Sequence, residues 1–333
     1  MKPSIAIIGA GLAGLTLARE LSLHADITLF EKARGLGGRM STRRNDTHQW
    51  DHGAQFFTAR SSAFTALLTP FISDGTVVEW QPNITTLSPH KSPYKRPWFE
   101  PHYVAVPGMN RLLKAMAGNL NIQLSTRVEK VEQQHQHWRL LDEYDQLLGE
   151  YDWVISSAPL PQTQVLLPVE ILGDNLERYG MLPCYALLLT VDDADLPTWD
   201  AAQVNDAPIR WVAFNHRLPG RNPQAGTVVV HSTPEWATAH LEDDQEVVKQ
   251  QLLESFCSLS GVNAKAITQV QLHRWRYALS ADVSEPDAEF VLNTQARLAA
   301  CGDWCLGGRV EAAFTSAYQL AKVLQTKFLQ TKL

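Results

Sequence analysis

Cysteine is scarce in this 333-residue chain, and long apolar runs and dense basic runs are missing from it. The four cysteines, Cys184, Cys257, Cys301 and Cys305, form no CxxC pair and no metal-ligand spacing. Neither a disulfide framework nor a metal site is therefore expected, and a reducing compartment is. No apolar stretch reaches transmembrane length, and Met1-Lys2-Pro3-Ser4 runs straight into a strand without the pattern of a signal peptide, so a cytoplasmic protein with no membrane partner is expected. No Lys/Arg run is dense enough to track a phosphate backbone and the formal net charge is −6, which argues against a nucleic-acid partner. A hydrophobic share of 45% with 19% charged residues is that of a globular enzyme rather than a disordered chain. The length suggests two domains or one large α/β unit.

The first thirty residues carry a pattern. Ile5 to Ile8 reads as a buried parallel strand, Leu12 to Leu21 as a helix, and Ile27 to Phe30 as a second buried strand, which together make a βαβ unit. Between strand and helix stands Gly9-Ala10-Gly11-Leu12-Ala13-Gly14, a G-x-G-x-x-G run in the context that motif requires. Gly9 permits the tight turn, Gly11 lets the backbone approach a pyrophosphate, and Gly14 lets helix and strand pack closely. The N–H groups of Leu12 and Ala13 open the helix toward the phosphates. Glu31, at the end of the second strand and followed by Lys32, is placed to accept ribose hydroxyls.

That fingerprint does not separate NAD from FAD. Gly37-Gly38-Arg39 follows the acid at a short interval, and this arrangement resembles the glycine-pair motif of the flavin amine oxidase and phytoene desaturase superfamily. Gly302-Asp303-Trp304 with Gly307-Gly308-Arg309-Val310-Glu311 resembles the second FAD motif of the same superfamily, which implies that Asp303 bonds the ribityl or pyrophosphate region and that a helix starting near Val310 points at the flavin. Val128, in Thr126 to Val131, matches the place where such proteins contact adenine through the backbone, and Asp152 to Pro159 matches their mid-chain strand. Noncovalent FAD is the expected cofactor.

At the level of a family, Arg34 to Thr42, Asp51-His52-Gly53-Ala54-Gln55-Phe56-Phe57-Thr58, Tyr103 to Met109 and Gly302 to Glu311 resemble the renalases, especially their bacterial members. The resemblance is thinner over 160–290, where only Arg210 to Asn215, Val228 to Thr233 and Trp275-Arg276-Tyr277 look familiar. It implies an α/β fold of p-hydroxybenzoate-hydroxylase type: a Rossmann-type FAD domain interleaved with a smaller α+β substrate domain on an antiparallel sheet. The FAD domain is expected to comprise 1–80, 102–159 and 291–333, and the substrate domain 81–101 and 160–290. The proline-studded stretch from Gln81 to Pro101 reads as an irregular excursion.

The implied activity is oxidation of 2- or 6-dihydro isomers of NAD(P)H to NAD(P)+, by hydride transfer to flavin N5 and reoxidation by O2 to hydrogen peroxide. Ring aromatisation drives that step, so it asks for placement and electrostatics rather than a base. The pocket residues so indicated are Gln55, Phe57, Asn215, His231, Trp275 and Tyr277, with Gln55 and Phe56 also near the cofactor; Arg210, His216, Arg217 and Arg276 are cations available to a dinucleotide's phosphates. Each aromatic or histidine among them could equally be a core residue. Two other readings stay open: a flavin amine oxidase or desaturase acting on another small molecule, and a flavin-binding redox sensor without turnover.

Overall fold

A strand covered on both faces must be apolar at successive positions, and Ser4–Ile8, apolar from Ile5 on, forms β1 inside a six-stranded sheet. The computed structural model describes residues 2–168, 179–192, 196–224, 226–281 and 288–330. They fall into two units: Met1–Gly38, Leu113–Met181 and Ser280–Leu333 make the first, Arg39–Leu112 and Leu182–Leu279 the second.

In the first unit Gly9 ends β1, helix α1 (Leu12–Leu21) follows, and β2 (Asp26–Phe30) returns parallel, with Ile5 opposite Ile27 and Ile7 opposite Leu29. On the other side of β1 lie Trp153–Ser156 and then Leu298–Ala300, both parallel, with Val291–Asn293 antiparallel at that edge. Ile122–Gln123 closes the opposite edge beside β2. A three-stranded antiparallel sheet (Lys130–Gln134, His137–Leu141, Leu147–Tyr151) buries Trp138 and Leu140 in a core shared with Phe30, Val154 and Trp304. The helix Val310–Gln330 packs on α1, and Gln325 Nε2 donates to the Glu20 carbonyl at 2.7 Å.

The second unit is built on a seven-stranded sheet in the order Ile267–Ser280, Met181–Val191, Thr227–Ser232, Ile209–Phe214, Ala201–Val204, Ile84–Ser88, Lys91–Lys95. The back face is aliphatic: Leu187, Leu189, Val212, Val228 and Val230 pack with Val248, Leu252 and Phe256 from the helix Gln245–Ser260. That helix has Asp244 as its N-cap and left-handed Gly261 as its stop. The front face carries Ala186, Leu188 and Val229 around the fully buried Trp50, whose indole N–H donates to Leu189 O at 2.8 Å.

Three sequence expectations change. The stretch from Gln81 to Pro101 is not irregular: Ile84–Ser88 and Lys91–Lys95 form a hairpin that extends the sheet. Its prolines are tolerated because Pro89 lies between the two strands and Pro93 sits on a fully exposed edge strand, which needs no ladder donor. The sheet is mixed rather than antiparallel, because Ile84–Ser88 runs parallel to Ala201–Val204. Lastly, residues 39–80 and 102–112 group with the second unit, and 160–181 and 280–290 with the first. The reason is hydrogen bonding and packing at long range: Asp51 and Trp50 are tied to Asn215 and Leu189, whereas Leu160, Leu167 and Tyr179 are buried with Trp304.

Candidate active site

The glycine run of the first unit makes a cradle. Gly9 is left-handed (φ +104°), a conformation that disfavours other residues, and its N–H donates to Phe30 O at 2.8 Å. A Cβ on Gly14 would stand 2.0 Å from Gly9 O, so helix and strand approach to a distance only glycine allows. Gly11 is different: a Cβ there would meet nothing within 4 Å. It is the N-cap of α1, and no side chain caps that helix, so the first-turn N–H groups of Leu12, Ala13 and Gly14 remain for a ligand. Gly38 (φ +50°) lies against this turn, its Cβ position 3.5 Å from Gly11 Cα. Ser157, which the sequence reading passed over, braces the turn by donating its hydroxyl to Gly9 O at 2.8 Å.

Glu31 is 8% exposed and is held by two backbone donors, Ala10 N to Oε2 at 3.0 Å and Ala33 N to Oε1 at 2.8 Å. A carboxylate has about four acceptor positions, so two remain for hydroxyl groups. Lys32 is exposed beside it. Bonds from Thr126 N to Glu31 O and from Ser125 N to Ala33 O bring the following loop alongside, with Val128 buried next to Phe30 in the same core. At the other end of the unit Asp303 is buried, its carbonyl accepts from Leu306 N and Gly308 N, and Oδ2 accepts from Ser280 Oγ at 3.4 Å. Gly302 N donates to Ser316 Oγ, Arg309 is exposed, and Val310 starts the last helix. Burial pushes the Cys305 thiol up to about 12 and the Cys301 thiol up as well, so neither offers a thiolate. An uncapped helix start, an open glycine, and a buried acid with spare acceptors fit the pyrophosphate and ribose of a dinucleotide.

Arg39, Gln55 and Phe56 belong to the second unit. Arg39 Nη1 donates to Ala278 O at 3.3 Å, and its own carbonyl takes Ala54 N; a Cβ on Gly53 would stand 1.9 Å from that carbonyl, which is why the His52-Gly53-Ala54 turn needs glycine. Gln55 is 5% exposed; its Nε2 donates to Asp51 O, and its Oε1 has no partner. Phe57 is buried against Phe64 and Tyr103. Phe56 is half-buried among Trp80, Trp98, His102 and Trp211.

The remaining candidates gather on the front of the sheet. Side chains alternate along Ile267–Ser280, so His273, Trp275 and Tyr277 share one face. Trp275 stacks on His52 at 5.0 Å, and His273 meets both rings edge-on. His52 O is a common acceptor, taking Trp275 Nε1 at 2.9 Å and pairing with His231 Nε2 at 3.1 Å. Asn215 is fully buried and its amide is spent on backbone, accepting from Asp51 N and donating to Gln49 O. Of the cations noted from sequence, His216 is buried on Thr227 O, Arg217 donates to Pro197 O and Trp199 O, and Arg276 pairs with Glu242 on the opposite face from Trp275; Arg210 stands exposed.

Below these rings lies a buried ion pair that no local pattern revealed. Arg221 grips Asp51 Oδ2 through Nη2 and Nε and donates to Ala105 O and Pro219 O, while Asp51 Oδ1 accepts from Thr42 Oγ1 at 2.6 Å and Met109 N at 2.9 Å.

Burial, helped by the charges of His273, Arg43 and His231, drives His52 down to about 3; burial drives His231 down to about 4, helped by Arg210, and His273 to about 4, helped by Arg43. All three rings are neutral at pH 7. In the unfolded chain a histidine titrates near 6.5. Between 6.5 and about 4 the unfolded state therefore binds more protons, and stability falls as pH falls. The midpoint of thermal unfolding is expected to drop by about 4 °C or more from pH 7 to pH 5. His273→Phe should flatten that drop, and an unchanged melting curve across this range would rule the account out.

Among the described residues no helix is long and apolar enough to cross a membrane, and no group of three His, Cys, Asp or Glu side chains could hold a metal ion.

Comparison with known proteins places this geometry. A family profile for NAD(P)-binding Rossmann-like domains matches residues 7–71, and one for flavin containing amine oxidoreductases matches residues 98–324. Mitochondrial protoporphyrinogen oxidase of Nicotiana tabacum is 35% identical over 65 residues, which is 19% of this chain and 13% of that protein. Among solved structures, a candidate protoporphyrinogen oxidase from Exiguobacterium sp. 255-15 superposes with a TM-score of 0.78 at 14% identity, covering 98% of this chain and 99% of that one. Putrescine oxidase bound to putrescine superposes with a TM-score of 0.72 at 13% identity, over 98% and 99%. These likenesses give the fold, and the second profile spans most of the sequence. The chain belongs to the flavin containing amine oxidoreductase family and is an FAD-dependent oxidoreductase.

Proposed function

We propose that the chain is an oxidase of a small nitrogen-containing molecule, with amines the first class. The observation that carries this reading is the amine oxidoreductase match over 98–324, which includes His231, His273, Trp275 and Tyr277 on the front of the second unit. When bound, FAD would supply the hydride acceptor, with oxygen as the final electron acceptor and hydrogen peroxide as the product. The chain's own contribution is placement. In this reading the first unit holds the cofactor: Gly9, Gly11, Leu12, Ala13 and Gly14 take the pyrophosphate, Glu31 the adenosine ribose, Val128 the adenine, and Asp303, Gly308 and Val310 the flavin end. The second unit is the substrate unit, with Gln55, His231, Trp275 and Tyr277 toward the substrate and Asn215 as their strut; Arg39 and Phe56 are its cofactor candidates from sequence.

A second reading, the renalase-like oxidation of 2- or 6-dihydro NAD(P)H, is favoured by one observation. The front face offers neutral histidines and indoles, and its buried carboxylate, Asp51, is already committed to Arg221. A neutral flat ring loses little on entering such a place, whereas an ammonium group finds π faces and, among the described residues of that face, no uncommitted buried carboxylate. Anaerobic mixing of the yellow holoprotein with putrescine, benzylamine, the dihydro isomers and ordinary NADH separates the readings. Rapid bleaching by an amine supports the first. Bleaching by the isomers, with ordinary NADH about a hundred-fold slower, supports the second. A flavin that nothing in the panel reduces supports the redox-sensor alternative.

The role of Glu31 is testable without turnover. A charge-assisted hydrogen bond contributes about 1.5–3 kcal/mol. Glu31→Ala is therefore expected to weaken FAD binding about ten- to a hundred-fold, measured by titrating apoprotein with FAD. Unchanged affinity would place the ribose elsewhere.

A further inference from the structure

One group of rings in the second unit is not used by the reading above beyond Phe56. Phe56 lies 5.3 Å from Trp98, 4.8 Å from His102, 5.5 Å from Trp211 and 6.0 Å from Trp80, and Trp98 and His102 sit 3.6 Å apart. Trp80 and His102 are buried and form the back of the group, while Phe56, Trp98 and Trp211 are half-buried and keep part of their ring surface open. The indole N–H groups of Trp98 and Trp211 are both buried, and neither has an acceptor among the described residues. Indole can only donate, and a buried donor without an acceptor in the chain calls for one from outside it, a water or a ligand atom. Thr86 Oγ1 on the same sheet face is likewise buried without a partner.

The position of this group matters as much as its chemistry. Thr86, Gln203, Trp211 and His231 are successive partners across four neighbouring strands, so their side chains share the front face. Trp211 is therefore the direct cross-strand neighbour of His231, at a side-chain spacing of about 5 Å. Trp98 also lines an open surface depression with Glu79, Gln81, Phe99 and Glu100. At its margin Glu100 is neutralised by Arg60 at 2.6 Å.

We propose that Phe56, Trp98 and Trp211, backed by Trp80 and His102, form a second subsite that takes a flat, neutral heteroaromatic ring carrying hydrogen-bond acceptors on its edge. The substrate is then a two-part molecule, with its reacting group near His231 and Trp275 and its second ring one strand further along the sheet. Stacking is sequence-tolerant among rings, so the faces of Phe56, Trp98 and Trp211 hold the ring and the two indole donors select for edge acceptors. A simple alkyl amine would leave this subsite unused.

This inference rests on the proposed placement of the reacting group, and its test is independent of turnover. The FAD-loaded protein, in which the cofactor's own adenine site is filled, is dialysed to equilibrium against purine or indole. The two bicycles are of similar size, but purine has edge acceptors and indole has none. Purine is expected to bind tighter than indole, and Trp211→Phe and Trp98→Phe, which keep a ring and remove the N–H, are each expected to weaken purine about ten-fold while leaving indole unchanged. Flavin content and melting temperature of both variants show that they are folded. Equal binding of purine and indole, or purine affinity unchanged in both variants, overturns the subsite and leaves the oxidase reading intact. A flavin that no amine or dihydronicotinamide reduces refutes the oxidase reading, while selective purine binding still upholds the subsite.

Discussion

Gly14→Val is expected to give a protein without colour, and Gly11→Ala a folded protein that holds FAD weakly. The two glycines are three residues apart and fail for different reasons. At Gly14 a side chain meets the carbonyl oxygen of Gly9 at 2.0 Å, which is backbone and cannot turn aside. The strand–helix junction has to open, at a cost of the order of 1–3 kcal/mol or more, and the Gly9 turn, proposed above to take the pyrophosphate, moves with it. Loss of FAD affinity by about a hundred-fold or more follows, together with a lower melting temperature of the apoprotein. At Gly11 there is open space. A methyl group there leaves the apoprotein's stability within about 0.5 kcal/mol and occupies the volume in which a phosphate would approach the helix start. Thermal melts of the apoproteins with FAD titrations read both effects. Equal stability of the two variants would mean that Gly14 is not a packing position.

Arg221→Met and Asp51→Ala are the second pair of large effects. Each strands a charge or a row of donors in a place that is 1% exposed or less. Removing one member of a buried pair costs about 3–5 kcal/mol. At about 2–4 °C per kcal/mol for a domain of this size, the melting temperature should fall by roughly 10 °C. Arg221→Lys should rescue little, since an ammonium group cannot reach Asp51, Ala105 O and Pro219 O together. The double variant should lose less than the sum of the singles, because removing both charges leaves neither unpaired. Strict additivity would show that the two residues act separately. The segment fixed by this pair supplies His52 O, the acceptor for Trp275, so substrate affinity should fall in variants that still fold.

The legible parts of the sequence were those whose chemistry is local. Gly9 to Gly14 and Glu31 could be read as a tight strand–helix turn with an acid beside it, because their spacing along the chain is itself the geometry. Helix α1 and the strands on either side of β1 could be read from short apolar runs. The second unit was harder. Asn215 is an exposed-type residue by composition, and only the fold shows its amide closing on Asp51 N and Gln49 O. Asp51 and Arg221 are 170 residues apart, and nothing near either predicts the other. Prolines hid the Ile84–Lys95 hairpin because edge strands obey looser rules than inner ones. The boundary placed near residue 80 differs for a related reason: Gln49–Asp51 forms a local hairpin with Thr42–Arg44, but Trp50 takes its place from Leu189, far along the chain.

The two interleaved units finish in the reverse of the order in which they begin. On the ribosome β1 and α1 emerge before any of the second unit, yet β1 waits for Trp153–Ser156, and the face of α1 stays bare until Val310–Gln330 has been made. The second unit draws on nothing beyond Leu279. It can be complete while the cradle for the cofactor is still open, with its apolar strands in water for the seconds that translation needs. A nascent chain arrested before Val310 would thus carry a finished second unit and an unclosed first one. Such a chain would depend on chaperones until its last helix arrives.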